Sequence, residues 1–112
     1  MFEQGDILLI PVPFSNLSFV KKRPVLVLSN NEHNSASRDI IVIAITSNLE
    51  QRGIEISSDS LIDGFLPKNS IIKVDKIYTL EAEIAIKKIG KINDDVLSNV
   101  FKEFVNLITP KK

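Results

Sequence analysis

Short runs of consecutive apolar residues, separated by polar segments, dominate the first three quarters of the chain. The runs at residues 7–10, 25–28 and 40–45 do not alternate between apolar and polar positions, and each is too short for a typical helix. Such runs are typical of strands that are buried on both faces. The run at 40–45 is the longest, and in so small a domain we expect its second face to be covered by a helix or by another subunit.

Weaker patterns predict further strands. Extended or alternating patterns occur at residues 54–57, 70–75, 77–80 and 84–90. The polar segment 30–38 is predicted to be a loop, and so is the segment 59–69, which contains Gly64 and Pro67. Pro11 and Pro13 follow the first strand at alternate positions. Because proline has no N–H to donate, we expect this strand to run out to a sheet edge or a bulge.

The last quarter of the chain has the pattern of an amphipathic helix. Asn93 is a good N-cap, and Asp94 and Asp95 suit the positive end of the helix dipole. Apolar residues then recur at three- and four-residue spacing until Thr109 and Pro110 end the pattern. The sequence therefore predicts one mostly-β domain over residues 1–112, with a C-terminal helix that covers the sheet.

Composition narrows the classes of function. The chain has 112 residues, 14 Lys plus Arg against 14 Asp plus Glu, one His and no Cys. A net charge of zero gives no overall basic field, so any anion site must be a local patch. The absence of cysteine and the single histidine exclude disulfides, thiolate metal sites and multi-histidine metal sites. No apolar run approaches a membrane span, and a soluble cytoplasmic protein is the default expectation.

Three cations stand directly before a predicted core strand. Lys21, Lys22 and Arg23 precede Pro24, which keeps Arg23 out of helical backbone geometry. A guanidinium stays charged at neutral pH and offers a planar fork of donors. Held at the end of a core strand, Arg23 could bind a phosphate or carboxylate at a defined place. The alternative is a solvated strand end.

Other polar residues at predicted strand ends are weaker candidates. Thr46, Ser47 and Asn48 follow the longest apolar run and could hold a phosphate, or simply form a turn. Lys73 and Asp75 share one strand face, where they either pair with each other or form the polar floor of a site. The single histidine, His33, could act as an acid or base, or lie exposed in its polar segment.

The ordered set of these segments resembles the MazF/PemK family of toxins from toxin–antitoxin pairs. The resemblance covers nearly the whole chain. It rests on Gly5-Asp6-Ile7, Lys22-Arg23-Pro24-Val25-Leu26-Val27-Leu28-Ser29, Ile45-Thr46-Ser47, the segment 70–80, Ile89-Gly90-Lys91 and the terminal helix. It implies a small SH3-like (CcdB/MazF-type) β-barrel with a C-terminal helix, usually a homodimer. It further implies a metal-independent endoribonuclease without cofactors. This enzyme cuts single-stranded RNA at short sequences, and an antitoxin with an acidic tail inhibits it by laying a peptide across the RNA groove.

The resemblance also assigns roles to particular residues. It implies that Arg23 and Thr46 are catalytic, and Asp75 matches a carboxylate that some members use near the scissile bond. We add five candidates for RNA binding: Lys21, Lys22, Ser47, Asn48 and Lys73.

The chain also departs from the family at two places. Lys73 stands where the members with the carboxylate matched by Asp75 have Arg. Residues 16–20 replace the Gly-x-Glu pattern that many members have in this loop, which helps to choose the RNA sequence in the family. His33 has no family counterpart.

Two alternatives belong to other functional classes. CcdB-like toxins share the fold and poison DNA gyrase by binding alone. A barrel that has lost catalysis could still bind antitoxin or RNA. Convergence of Arg23, Thr46 and Asp75 on one groove would favour the enzyme over both.

Overall fold

Seven strands form a single antiparallel sheet in the computed structural model, which describes residues 1–13 and 20–111. The strands are β1 (Asp6–Pro13), β2 (Val20–Val27), β3 (Asp39–Thr46), β4 (Ile54–Ile56), β5 (Leu61–Gly64), β6 (Ser70–Glu81) and β7 (Lys87–Ile92). Their order in the sheet is β4-β6-β3-β2-β1-β7-β5. Helix α1 (Asn31–Ala36) lies between β2 and β3, and helix α2 (Asp94–Ile108) ends the chain. The mostly-β prediction with a C-terminal helix is confirmed.

The sheet curls into a half-barrel whose inner face packs against α2. This inner core includes Ile7, Leu26, Ile43, Ile72 and, from the helix, Val100, all fully buried. Helix α2 begins as predicted, because the Asn93 side chain accepts a hydrogen bond from the Val96 N–H at 2.8 Å. Its apolar stripe therefore covers the inner face of the sheet.

The outer face of the sheet carries a second apolar cluster. Leu8, Ile10, Val25, Val27, Ile40 and Val42 are buried there, which confirms that the central strands are covered on both faces. Helix α2 supplies the predicted helical cover on the inner face. On the outer face, Phe2, Ala82 and Ala85 of the same chain pack on this cluster.

Several boundaries differ from the sequence prediction. The segment 30–38 contains α1, whose N-cap Asn30 accepts from the His33 N–H. The predicted loop 59–69 contains β5, and the two predicted strands at 70–80 are one strand, β6. Strand β7 starts at Lys87, since residues 82–84 form a 3₁₀ turn. Most of the loop at 16–20 lies outside the described residues.

Strand pairing in the sheet is irregular at two places, along β1 and between β3 and β6. The pairing of β1 with β7 ends at Leu9, while its pairing with β2 continues to Pro13, so both prolines lie where β1 has left β7, as expected of a sheet edge. Between β3 and β6, Ile43 pairs with Ile77 but Ile45 pairs with Ile72. Strand β6 therefore bulges over residues 73–76, and such bulges re-aim side chains near functional sites.

Candidate active site

The sheet divides where β2 and β3 part. Their pairing ends at Val25 and Ala44; beyond that point β2 follows β1 to Pro13, and β3 follows β6 to Thr46. Arg23 and Thr46 each lie two residues past the last pair. Because side chains alternate along a strand, both share the face of the outer cluster.

Arg23 and Thr46 line one cavity of about 380 Å³, which we call the threonine cavity. Lys73, from the β6 bulge, lines the same cavity, so the structure brings these three predicted residues together. Gln51, Lys76 and Tyr78 also line it. Arg23 and Thr46 are both half-buried. The cavity thus combines cations with hydroxyl and amide groups at the end of a rigid strand pair.

Arg23 also lines a neighbouring cavity of about 580 Å³, which we call the lysine cavity. Pro24 and Ile45 are likewise shared, so the two cavities adjoin at the division between β2 and β3. The lysine cavity contains the predicted residues Lys21, Lys22 and Ser47. Its further cations are Lys68, Lys87 and Lys88.

The charge of this region is one-sided. Six cations line the lysine cavity, and the threonine cavity adds Lys73 and Lys76 to the shared Arg23. Eight of the 14 cations of a neutral chain therefore border two adjoining cavities. No carboxylate among the described residues lines either cavity. Cations crowded at low-dielectric walls create a strong local attraction for anions.

Lys73 is held from two sides. Its side chain is buried in the bulge, and its Nζ donates to Gln51 Oε1 at 3.0 Å and lies 3.5 Å from Asp75 Oδ1. Asp75 itself is exposed and lines a different cleft, between the bulge and α2. Asp75 thus contacts Lys73, which lines the threonine cavity with Arg23 and Thr46.

Asn48 and His33 line neither cavity. The Asn48 side chain accepts from the Glu50 N–H at 3.1 Å, and the Asn48 N–H donates to Thr46 Oγ1 at 3.2 Å. Asn48 thus forms the turn that was the alternative interpretation of this segment, and it fixes the Thr46 hydroxyl. His33 is exposed on α1 and lines neither cavity.

Lys88 is tied to carboxylates outside the cavity. Its Nζ lies 3.4 Å from the buried Asp6 and 3.4 Å from the exposed Asp63. Burial tends to lower the pKa of Lys88, but Asp6 and Asp63 outweigh this and raise it. Lys88 is therefore a fixed and partly neutralised cation.

Sequence reasoning missed Gln51, Lys68, Lys76, Tyr78, Lys87 and Lys88. Tyr78 lines the threonine cavity, and burial raises the pKa of its phenol. One available signal was the run of polar residues at 73, 75, 76 and 78 within a strand. The lysines at 87 and 88 look like ordinary solubilising residues of a strand end, and only the pairing of β7 with β1 brings them here.

The described part of the chain has neither a metal-binding cluster nor a membrane-spanning helix. Within the part of the chain that the structure describes, no group of three or more His, Cys, Asp or Glu side chains could hold a metal ion. No helix in residues 1–13 or 20–111 is long and apolar enough to cross a membrane.

Solved structures with the same fold include toxins and their complexes. The chain resembles a MazE–MazF structure from Deinococcus radiodurans with a TM-score of 0.76 and 18% identity, covering 96% of this chain and 95% of that one. It resembles an endoribonuclease bound to its cognate antitoxin, from a mycobacterial species, with a TM-score of 0.69 and 16% identity over the full length of both chains. A toxin MazF from Mycobacterium tuberculosis matches with a TM-score of 0.64 and 20% identity, over 88% and 93%.

These likenesses confirm the predicted MazF-type fold. A family model also matches the sequence itself, over residues 3–108, and that family is described as the PemK-like, MazF-like toxin of type II toxin–antitoxin systems. Since the match spans almost the whole chain, this protein belongs to the PemK/MazF family of toxins.

Proposed function

We propose that the protein is a metal-independent, sequence-specific endoribonuclease that cleaves single-stranded RNA. The observation that carries the proposal is the cavity that Arg23 and Thr46 share. Together with the adjoining lysine cavity it is bordered by eight cations, Arg23 included, and no carboxylate among the described residues lines either cavity. A cation-rich surface of this kind attracts the row of phosphate groups along a nucleic-acid backbone. Family membership and the endoribonuclease among the structural relatives support the reaction class.

The proposed reaction needs no external nucleophile. The ribose 2′-hydroxyl attacks the adjacent phosphorus and passes its proton to solvent water, while the bond from phosphorus to the 5′-oxygen breaks. That oxygen gains a proton, so the products are a 2′,3′-cyclic phosphate and a 5′-hydroxyl. The enzyme must hold the attacking and leaving oxygens in line and stabilise the charge that develops on the phosphoryl oxygens.

Arg23 and Thr46 suit the electrostatic part of this task. A guanidinium is a poor base at neutral pH, so Arg23 stabilises the developing charge and can donate a proton to the leaving oxygen. The Thr46 hydroxyl, which accepts from the Asn48 N–H, is left with its own proton to donate to a phosphoryl oxygen or to the 2′-hydroxyl. Lys73 adds a fixed cation at the same cavity.

Asp75 has a different place in the proposal. The resemblance matched it to a carboxylate near the scissile bond, yet its contact is with Lys73 rather than with the cavity. We assign it to positioning Lys73. RNA binding is assigned to Lys21, Lys22, Ser47 and Lys73, which line the two cavities.

The expected partners follow from the family. The relatives include complexes with cognate antitoxins, and we propose that an antitoxin with an acidic tail blocks this cation-lined surface. We also propose a homodimer, on the strength of the resemblance. The buried outer face of the sheet does not support it, since the same chain covers that face. Light scattering of the purified protein tests the dimer.

The test of activity is cleavage of a long, mixed-sequence RNA in EDTA. We expect discrete fragments with 5′-hydroxyl ends from the wild type, and a loss of about 10²–10³-fold in rate from Arg23→Ala, as for other groups that stabilise transition-state charge. The matched control is Arg38→Ala, because Arg38 is exposed and lines neither cavity.

Failure of the folded wild type to cut any RNA in the mixture would overturn the catalytic proposal. The next experiment would then be binding to DNA gyrase, which the CcdB-like alternative requires. Equal losses from Arg23→Ala and Arg38→Ala would show that the effect is general charge and not the site.

A further inference from the structure

Two exposed aromatic rings stand beside the cation-lined cavities. Phe65 is 66% exposed and lines the lysine cavity, and Tyr78 is 40% exposed and lines the threonine cavity. No other aromatic side chain is as exposed within the described ranges. A single exposed ring is ordinary on a protein surface. Sites that bind single-stranded nucleic acid, however, combine two components, a cationic groove and aromatic rings on which the bases stack.

Phe65 is presented by a fixed backbone. Its N–H donates to the Ile89 carbonyl at 3.1 Å, and the N–H of the next residue, the buried Leu66, donates to Ser58 Oγ at 3.2 Å. The chain is thus held on both sides of a ring that the fold leaves exposed. A ring on a rigid support loses little freedom when a flat partner stacks on it.

Tyr78 is presented by the sheet. It pairs with Val42 of β3, and because side chains alternate along a strand, Val42 and Thr46 lie on one face. Tyr78 therefore stands on the same face as the Thr46 hydroxyl. Since burial raises the pKa of its phenol, the ring stays neutral at physiological pH and does not repel a phosphate.

Arg23 borders the cavities of both rings. It lines both cavities, at the division between β2 and β3, whereas each ring lines only one of them. A chain that crosses this division with a phosphate at Arg23 has one neighbouring base on the side of Tyr78 and the other on the side of Phe65.

We propose that one RNA strand occupies both cavities, with the bases on the two sides of the Arg23-bound phosphate stacked on Tyr78 and on Phe65. This inference rests on the proposed function, and it adds the path of the strand and two residues that contact the bases flanking the cut.

Intrinsic fluorescence gives a direct test, because the chain has one tyrosine and no tryptophan. The probe is a short oligonucleotide that spans the mapped cut and carries 2′-O-methyl on the attacking nucleotide, so that it binds without being cut. If the wild type cuts nothing, a mixed-sequence 2′-O-methyl oligonucleotide replaces it. Stacking is expected to quench the tyrosine emission, and titration of the same signal gives Kd.

Variants separate stacking from other effects. Phe65→Ala and Tyr78→Ala are each expected to weaken binding by about 5- to 150-fold, the usual range for one base stacked on an aromatic ring. Tyr78→Phe keeps the ring and should recover most of the affinity that Tyr78→Ala loses. Ile62→Ala is the control, since Ile62 is 63% exposed, lies near Phe65 in sequence and lines neither cavity. Affinities of Tyr78 variants are read from a dye on the oligonucleotide.

The results of this binding experiment test the RNA path independently of RNA cleavage. Quenching and the stated losses in a protein that cuts no RNA would support the RNA path while overturning the proposed cleavage. Binding without quenching, with both alanine variants as tight as wild type, would overturn the inference even if cleavage is intact. Absence of binding by the folded wild type would overturn it as well.

Discussion

Lys73 is an uncommon residue to find buried in a strand, and its partners decide what Asp75 can do. Its ammonium group contacts Gln51 and Asp75 within the β6 bulge. The Asp75 side chain is 60% exposed, and an ion pair with one exposed partner contributes up to about 1 kcal/mol. Asp75 therefore orients Lys73 and adds little energy of its own.

Asp75→Asn should accordingly lower kcat/KM by no more than about fivefold, the equivalent of about 1 kcal/mol. Lys73→Ala should cost about 10²-fold, because it removes a fixed cation from the cavity that we propose holds the phosphate. The measurement is kcat/KM against pH for both variants and the wild type. A loss from Asp75→Asn as large as that from Arg23→Ala, with disappearance of the acid limb of the profile, would instead identify Asp75 as the base.

Asp6 is the most deeply buried carboxylate among the described residues, and its charge supports the neighbouring lysines. Its Oδ2 accepts from the Glu3 N–H at 2.8 Å, and its Oδ1 lies 3.4 Å from Lys88 Nζ and 3.8 Å from Lys91 Nζ. Asp6→Asn keeps an acceptor for Glu3 but removes the charge. We expect a loss of about 1 kcal/mol in the free energy of unfolding at neutral pH.

The pH dependence of this loss has a definite sign. The folded-state pKa of Lys88 lies above the ordinary 10.5, so the stabilisation is fully present below pH 10.5 and disappears as the pH rises through the raised value. Urea unfolding of the two proteins should thus differ at neutral pH and converge in strong alkali. Ionisation of Tyr78 affects both proteins alike. A difference that persists in alkali, or that Asp39→Asn reproduces, would contradict the assignment.

The strands and helices that could be predicted are those marked by a local pattern of apolar or capping residues. The apolar runs located β1, β2 and β3, and the cap at Asn93 located α2. Strand β5 was missed because its residues are mostly exposed and its pairing partner β7 is distant in sequence. Helix α1 was missed because buried hydrogen bonds of Asn34 with Ser29, rather than an apolar stripe, hold it in place.

The same distinction applies to the site. Arg23 could be predicted as a candidate because it stands just before the apolar run 25–28. Thr46 could be predicted because it directly follows the apolar run 40–45. Lys68 and Lys87 were not, because only the pairing of β7 with β1 and the course of the chain after β5 bring them to the lysine cavity. Pattern along the sequence carries no record of such distant pairings.

The turn before β4 depends on one glycine. Gly53 has a φ of 152°, a region almost restricted to glycine, and a Cβ at this position would overlap the Ile72 carbonyl oxygen of β6. Gly5 also has a positive φ, 92°, but a Cβ there would meet nothing closer than 3.8 Å. Alanine at Gly5 therefore introduces backbone strain alone, whereas alanine at Gly53 introduces backbone strain and steric overlap.

Gly5→Ala should destabilise the protein by about 1–2 kcal/mol through the backbone alone. Gly53→Ala should cost about 3–5 kcal/mol, since overlap with the β6 backbone adds to the strain. Urea unfolding of both variants, compared with wild type at equal m-value, checks the order. Equal losses would mean that β4 and β6 move apart freely, so that no overlap develops at the Ile72 carbonyl.

For the molecule as a whole, a net charge of zero conceals a separation of charge. Eight of the 14 cations border the two cavities, and the described residues contribute no carboxylate to their linings. Such a separation concentrates a polyanion at one surface without making the entire protein a nonspecific nucleic-acid binder. Lys68 and Lys87 belong to the lysine cavity but have no part in the proposed chemistry, so they report on this attraction alone.

Removing these two lysines should therefore change salt dependence more than catalysis. For single-stranded nucleic acid, each neutralised phosphate contributes about 0.7 to the slope of log K against log salt concentration. Lys68→Ala with Lys87→Ala should lower that slope by up to about 1.4 for the uncut oligonucleotide, while cleavage at saturating RNA stays near the wild-type rate. Lys102→Ala with Lys111→Ala removes the same charge from exposed positions outside both cavities and is the control. Equal slopes for the two double variants would mean that RNA responds only to net charge, and that it does not extend into the lysine cavity.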